Sequence, residues 1–204
     1  MPAAFSADEK ARIKGLLMES GRRLFTTRGL RKTSLEDLVA PAAIAKSSFY
    51  QFFDSKEALY LELMTDRMTE VRRATVDDAL LSAPGTREGL RRFLHATVDV
   101  LTTDPLYSRL MTHPEEMAAV SRRHDPESVT GVPGNPVTAL FDFVAEKRGE
   151  GALVAADPAV IVGVLQAVLL LPMNADRLAS PEHYPQVLDL LVDVVAAGLA
   201  PERV

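Results

Sequence analysis

Apolar residues recur at three- and four-residue intervals along most of the chain, with polar residues between them. This spacing places the apolar side chains on one face of a helix. The first such pattern predicts a helix that ends at Gly29, because glycine readily adopts the left-handed conformation that closes a helix. Its apolar face consists of Ile13, Leu16, Leu17, Leu24 and Phe25. No run of alternating β-branched residues predicts a strand, so we expect an all-α fold.

A second helix is predicted directly after Gly29. Thr33 or Ser34 can cap it, and Glu36 or Asp37, three residues later, can return the hydrogen bond. The third predicted helix is short, basic and rich in hydroxyl groups. It carries Lys46, Ser47, Ser48 and Gln51. A helix that enters the major groove of DNA is short and exposed and carries groups that bond phosphate or base edges. The pattern therefore predicts a helix-turn-helix.

Three motifs stand in order within this region: Thr33 to Val39, Ala42 to Tyr50, and Phe53 to Leu59. With them, the segment from about residue 8 to residue 60 resembles the DNA-binding domain of the tetracycline-repressor (TetR) family. Order, spacing and residue types agree over some fifty positions, roughly the first quarter of the chain. The resemblance implies an N-terminal three-helix helix-turn-helix domain, a C-terminal helical domain that binds a ligand and dimerises, and double-stranded operator DNA as a partner.

Seven side chains are expected to contact DNA: Ser34, Lys46, Ser47, Ser48, Tyr50, Gln51 and Lys56. We expect Lys56 and Tyr50 to bind phosphate and Ser47, Ser48 and Gln51 to lie nearer the bases. A dimer that presents two such helices about one duplex turn apart fits a palindromic or pseudo-palindromic operator.

Four residues depart from the family pattern. Ala43 replaces the usual turn glycine, which costs on the order of 1 kcal/mol if the position is left-handed. Ala45 replaces the usual Ser or Thr at the entry to the third helix, so a cap worth about 1 kcal/mol is missing. Pro41 should shorten or kink the second helix near Ala40. Phe52 stands where a polar, often phosphate-binding residue is common.

Charge divides the chain in the same place as the motifs. Residues 1–56 hold ten Lys and Arg against six Asp and Glu, whereas residues 57–204 hold thirteen against twenty-two. A basic part that approaches phosphate and an acidic remainder are expected of a DNA-binding protein, although a basic face is often only solvated. We expect a DNA-binding domain over 1–56 and a ligand-binding and dimerisation domain over 57–204.

Turn signals divide the second domain into helices. Ala83-Pro84-Gly85, Thr103-Asp104-Pro105 and His113-Pro114 interrupt it, and Gly149-Glu150-Gly151 ends a later helix. Residues 125–136 are rich in Pro, Gly, Ser and Thr and predict a long loop or lid. Asp157-Pro158 opens the next helix, which Pro172 closes, and Ser180-Pro181 opens the last, which runs to about Gly198.

The last two helices are unusually apolar. Val160 to Leu171 has almost no polar face, and the final helix carries a wide apolar stripe: Val187, Leu188, Leu190, Leu191, Val194 and Val195. Such helices need cover on all sides. They are either core helices of a monomer or, as the family resemblance favours, the halves of a four-helix interface in a homodimer.

Eight residues of the central helices could form a flexible apolar ligand pocket, because Met adapts its shape and aromatic rings supply area. They are Met64, Met68, Phe93, Tyr107, Met111, Phe141, Met173 and Asn174. Each is individually more typical of a core than of a ligand contact. The expected effector is a small apolar molecule.

Several functions lack support in the sequence. The four histidines have no metal-ligand or catalytic spacing, and no phosphate-binding glycine loop or nucleophile elbow is present. We expect no enzyme, no cofactor and no metal. The absence of cysteine fits a reducing cytoplasm, and the longest apolar run is too short for a membrane span. The alternative to a ligand-controlled repressor is a helical dimeric ligand-binding module that has lost specific DNA binding.

Overall fold

A computed structural model describes residues 5–121 and 135–201 of the chain. In these ranges all regular structure is helical, which confirms the predicted all-α class. Two compact units are formed: residues 1–67 with 105–132, and residues 68–104 with 133–204. The boundary predicted between residues 56 and 57 lies within the first unit, and the division between a DNA-binding and a ligand-binding domain stays a prediction.

The first helix, α1, spans Ala7–Lys32. It begins with a capping box in which the Ser6 hydroxyl accepts from the Glu9 amide at 3.2 Å and the Glu9 carboxylate accepts from the Ser6 amide at 2.9 Å. The predicted end at Gly29 is a break inside this helix, because Gly29 has φ 80° and ψ 165° and one further turn follows it. The φ of this glycine is positive, but its ψ lies outside the left-handed helical conformation that was predicted.

The second helix is as short as its proline predicts. Helix α2 spans Leu35–Val39 and passes into a 3₁₀ turn over Ala40–Ala42 that contains the proline. A further 3₁₀ helix, Lys46–Gln51, which we call the recognition segment, occupies the place of the predicted third α-helix. Helix α3 then runs over Lys56–Arg72.

The remaining helices of the first unit are α5, Pro105–Thr112, and α6, Pro114–Ser121, separated at His113 as predicted. The core of this unit joins α1, α2, the recognition segment and α3 to α5 and α6. Its largest fully buried side chains include Tyr60, Phe25 and Phe49. Phe49 therefore anchors the recognition segment to this core.

The second unit begins at residue 68, within α3, and continues into a π-helix, Arg73–Leu81, that was not predicted. This π-helix packs extensively on α4, Thr86–Thr103. Helix α7 spans Pro136–Gly149, α8 spans Pro158–Leu169, and a 3₁₀ turn, Leu171–Asn174, leads to a short α9, Ala175–Leu178. The last helix, α10, spans Tyr184–Leu199 and packs on α4 and α8.

Two predicted helix starts have different outcomes. Asp157 caps α8 by accepting from the Ala159 amide at 2.8 Å, with Pro158 at the first helical position, as predicted. The last helix does not begin at Ser180: the Ser180 hydroxyl lies 2.8 Å from the His183 ring nitrogen, and residues 181–183 form a turn. With that hydroxyl engaged by the histidine ring, α10 starts at Tyr184 instead.

Most of the loop predicted over residues 125–136 lies outside the described residues; Asn135 caps α7 and Pro136 begins it. Over the described ranges, no single helix is long and apolar enough to cross a membrane. One pair of consecutive helical segments, Pro158–Leu169 and Leu171–Leu178, together has the length and composition of a membrane span, but the two segments are bent by 41° relative to each other.

Candidate nucleic-acid interface

The entry to α2 is fixed by a second capping box. The Ser34 hydroxyl accepts from the Asp37 amide at 3.1 Å and donates to the Asp37 carboxylate at 2.8 Å, and that carboxylate also accepts from the Ser34 amide at 3.4 Å. These bonds lower the pKa of Asp37 below its ordinary value. Of the alternatives left open by the sequence, Ser34 and Asp37 form the box, and they fix where α2 starts.

The turn between α2 and the recognition segment is left-handed, as its sequence position implies. Ala43 has φ 52° and ψ 37°, a conformation that glycine adopts more easily. Ala45 has the extended conformation of an N-cap but its methyl group gives no side-chain hydrogen bond, so the predicted missing cap is confirmed. The N-terminal end of the recognition segment is therefore less stable than it would be with a glycine at position 43 and a capping side chain at position 45.

The recognition segment buries one side and exposes the other. Phe49 is fully buried, and its ring packs edge-on against Tyr50 at 5.8 Å and in a tilted arrangement against Phe53 at 5.7 Å. Four of the residues predicted to contact DNA are exposed on this segment, and a fifth is half-buried: Lys46, Ser47, Tyr50 and Gln51, with Ser48. The buried ring of Phe49 therefore anchors the segment to the core while its polar groups remain accessible.

Lys46 carries a charge that is paired within the chain. Its ammonium donates to the Glu36 carboxylate at 2.6 Å, and both side chains are more than half exposed. The hydrogen bond lowers the pKa of Glu36 and raises the pKa of Lys46. Because an exposed pair of this kind is worth only about 0–1 kcal/mol, a phosphate can replace the carboxylate as the partner of Lys46.

Lys56 is held differently. Its ammonium donates to the carbonyl oxygens of Leu30 at 2.8 Å and Thr33 at 2.9 Å, and lies 3.5 Å from that of Arg31. These carbonyls belong to the last turn of α1 and the residue after it, where helical partners are lacking. Lys56 thus joins the end of α1 to the start of α3.

Phe52, which replaces a commonly polar residue, packs against the N-terminal segment. Its ring lies 6.0 Å from the ring of Phe5. A groove of about 480 Å³ runs beside the recognition segment, and four predicted DNA-contacting residues line it: Ser34, Lys46, Tyr50 and Lys56. The structure therefore brings these four side chains to one groove.

The eight predicted ligand-binding residues are divided between the units. Met64, Tyr107 and Met111 belong to the first; the others belong to the second: Met68, Phe93, Phe141, Met173 and Asn174. Three are buried, Met64, Phe93 and Tyr107, while Met68 is half-buried and the other four are exposed. Within the described ranges, none lines the second unit's cavities of about 710 Å³ and 420 Å³. A shared pocket stays a prediction.

A buried polar network was not predicted from the sequence. Glu116 is 7% exposed and accepts from the Arg109 guanidinium at 2.7 and 3.0 Å, from the Leu30 amide at 3.1 Å and from the Tyr60 hydroxyl at 3.3 Å. Burial alone would raise the pKa of Glu116, but the bonds from Arg109 and Leu30 lower it overall. Burial and the nearby carboxylate raise the pKa of Tyr60. The only sequence feature that marked this network was Gly29, the predicted end of the first helix, which lies beside Arg109 and Glu116.

Among the described residues, no group of His, Asp or Glu side chains is arranged to hold a metal ion. The first unit instead contains a capped helix, a left-handed turn and a short exposed segment held from behind by a buried ring. This arrangement defines a helix-turn-helix protein.

Comparison with known proteins identifies the family. Residues 17–63 match the model of the bacterial regulatory proteins of the tetR family. The chain is 32% identical over 84 residues to the uncharacterised HTH-type transcriptional regulator YdgC of Bacillus subtilis, and 32% identical over 92 residues to the HTH-type transcriptional repressor DhaR of Mycobacterium sp.. These matches cover 41% and 44% of this chain but only 43% and 45% of the two relatives, less than half of either.

A solved structure extends the likeness of fold over nearly the whole chain. The transcriptional regulator FadR of Bacillus subtilis, in complex with stearoyl-CoA, matches 91% of this chain and 98% of its own with a TM-score of 0.65 at 13% identity. The chain belongs to the TetR family of bacterial transcriptional regulators. The identification from sequence is confirmed, and members of this family are regulators and not enzymes.

Proposed function

We propose that this protein is a dimeric repressor that binds a two-fold symmetric operator and leaves it when a small apolar molecule binds. The observation that carries the DNA-binding half is the recognition segment, Lys46–Gln51, whose Phe49 is buried while Lys46, Tyr50 and Gln51 face outwards. A short exposed element held rigidly from behind is what the major groove admits. Such a regulator acts in the cytoplasm.

The side chains divide into two roles. Ser47, Ser48 and Gln51 carry groups that hydrogen-bond base edges, and Gln pairs well with adenine. We propose phosphate contacts for Lys46 and Tyr50, together with Ser34 at the start of α2. Their position along the same groove supports this assignment. Phosphate contacts fix orientation and base contacts give specificity.

A two-fold operator requires a dimer, and the second unit offers a face for one. Val187, Leu190 and Val194 lie on one side of α10 and are 40%, 66% and 59% exposed. Val160 and Val164 of α8 are 58% and 38% exposed. Apolar side chains on neighbouring helices that stay this exposed are typical of an interface. We propose that the partner's copies of α8 and α10 cover them.

The effector is proposed to be apolar because the related fold of FadR was solved with stearoyl-CoA, a molecule with a long acyl chain. The effector acts by preferring the conformation that cannot bind the operator, and shifts the equilibrium only by its difference in affinity. Operator DNA must then weaken effector binding by the same factor by which the effector weakens DNA binding.

The test is selection of duplex DNA from a random pool by the full-length protein. We expect enrichment of a palindromic or pseudo-palindromic site with nanomolar affinity at low salt that weakens steeply as salt rises. Gln51→Ala should change the preferred base at one position in each half-site. Enrichment of no sequence would favour the second candidate, a helical dimeric ligand-binding module without specific DNA binding. The missing cap at Ala45 and the left-handed conformation of Ala43 support that candidate.

A thermal-shift screen of apolar metabolites tests the effector. A compound at a hundred times its dissociation constant stabilises the folded state by about 2.7 kcal/mol. Each compound that raises the melting temperature is then added to the protein–operator complex. If all of them leave operator affinity unchanged, control by an apolar effector is the wrong account.

A further inference from the structure

Two cations at the end of α1 have no partner in the part of the chain that the structure describes. Arg31 and Lys32 are exposed in the last turn of α1, and neither side chain forms a hydrogen bond or ion pair within the described residues. The neighbouring Arg28, by contrast, lies 3.5 Å from the Asp37 carboxylate. Contacts within the described residues therefore do not explain the charges of Arg31 and Lys32.

Capping of α1 does not account for them. Basic residues in a last turn normally compensate the unpaired carbonyls of a helix C-terminus. Here Lys56 already donates to the carbonyls of Leu30 and Thr33 at 2.8 and 2.9 Å. The charge that the end of the helix needs is therefore supplied from α3.

The same bonds change the role of Lys56. An ammonium has three hydrogens, and two short bonds plus the 3.5 Å approach to the Arg31 carbonyl engage all three directions. Lys56 was predicted to contact phosphate directly, but a phosphate would have to break these bonds to reach it. Arg31 and Lys32 carry free donors beside it.

Their position adjoins the DNA-facing groove. Arg31, Lys32 and Lys56 line a cavity of about 830 Å³, whose lining also includes the carboxylates of Glu57, Glu115 and Glu116. Lys56 also lines the 480 Å³ groove beside the recognition segment, so the two spaces share this wall. If the recognition segment enters the major groove, as proposed above, the phosphate backbone that borders the groove would face this shared wall.

We infer that Arg31 and Lys32 bind the DNA backbone directly, as a flanking phosphate contact that Lys56 positions by capping the turn that carries them. This inference rests on the proposed DNA-binding function and adds two residues to it. Both contacts are independent of base sequence, so they set affinity and not the preferred operator.

The experiment compares three double variants with the unmodified full-length protein on the selected operator and on random duplex. Arg31→Gln/Lys32→Gln removes two charges at the proposed contact. Arg148→Gln/Arg177→Gln removes the same charge from exposed positions of α7 and α9 in the second unit. The charge-conserving Arg31→Lys/Lys32→Arg tests rescue. Affinity is measured by fluorescence anisotropy over a range of salt.

We expect the first variant to bind both duplexes on the order of tenfold to a hundredfold more weakly. The slope of log affinity against log salt should fall in magnitude by about 2 for each half-site. The rescue variant should restore most of the affinity. A first variant that matches the Arg148/Arg177 control overturns this inference alone. A wild-type protein that binds no duplex overturns both this inference and the proposed function.

Discussion

Glu116 of α6 receives two hydrogen bonds from Arg109 of α5, at 2.7 and 3.0 Å, in a place where both side chains are largely buried. Bidentate pairs of this kind are among the stronger polar contacts of proteins. The carboxylate also accepts from the Leu30 amide directly after the break in α1. Two helices distant in sequence are thereby tied to the end of the first helix.

This pair leaves no space for a side chain at Gly29. A Cβ built there would overlap the Arg109 guanidinium and the Glu116 carboxylate, and the φ of 80° disfavours any other residue. Gly29→Ala is therefore expected to lower the free energy of unfolding by about 2 kcal/mol or more in urea titrations. Gly15→Ala is the control: it lies within α1 with nothing near its Cβ, and should raise stability by about 0.5–1 kcal/mol. Equal effects would contradict the packing described.

The lowered pKa of Glu116 predicts a pH-dependent contribution to stability. Because the folded-state pKa lies below its ordinary value of 4.5, the contribution is present above that value and is lost as pH falls through the folded pKa. The difference in unfolding free energy between wild type and Glu116→Gln should be large at pH 6 and shrink towards pH 3. Glu19→Gln, at an exposed position, should match wild type throughout. A constant difference would refute the ionic role.

Strain in the turn predicts opposite effects for two neighbouring substitutions. Ala43→Gly should stabilise the protein by on the order of 1 kcal/mol, because glycine adopts φ 52° at lower cost. Ala40→Gly should destabilise it by up to about 1 kcal/mol, because Ala40 is right-handed, with φ −53°. Thermal unfolding of both variants gives the comparison. If Ala43→Gly also destabilises, the left-handed turn is not the solution conformation.

The exposed stripe of α10 predicts how to separate the proposed dimer without unfolding the chain. Leu190 is 66% exposed in the single chain, so Leu190→Asp should leave the helical circular-dichroism spectrum unchanged while burying an unpaired charge in the partner contact. Sedimentation at micromolar concentration should show a monomer. Ala145→Asp, exposed on α7, adds the same charge and should remain dimeric. A dimer in both would place the interface elsewhere.

Local signals made much of the first unit predictable. A Ser followed three residues later by Asp gave the cap of α2, Pro41 gave its early end, and the family pattern gave the left-handed turn at Ala43. Each of these depends on a few neighbouring residues. The type of the recognition segment was less predictable, since it is short, lacks a side-chain cap and forms a 3₁₀ helix longer than is common.

The contacts between distant residues could not be predicted in this way. Glu116 and Leu30 are 86 positions apart, and nothing in either segment marks the other as its partner. The same holds for Lys56, whose family position indicated phosphate while its ammonium holds carbonyls of α1. Met and aromatic residues suit both a core and a pocket, so the sequence favoured burial of Met64 and Phe93 individually but could not show whether the eight residues share one pocket.

The peptide groups of Leu30 connect these observations. Its N–H donates to Glu116 and its carbonyl accepts from Lys56, so side chains of α6 and α3 hold the two sides of one residue. An amide held this way exchanges its hydrogen with solvent only when that arrangement opens. The deuterium uptake of this single backbone position therefore reports on the integrity of the first unit, and its rate would register whether operator DNA or an effector loosens the junction.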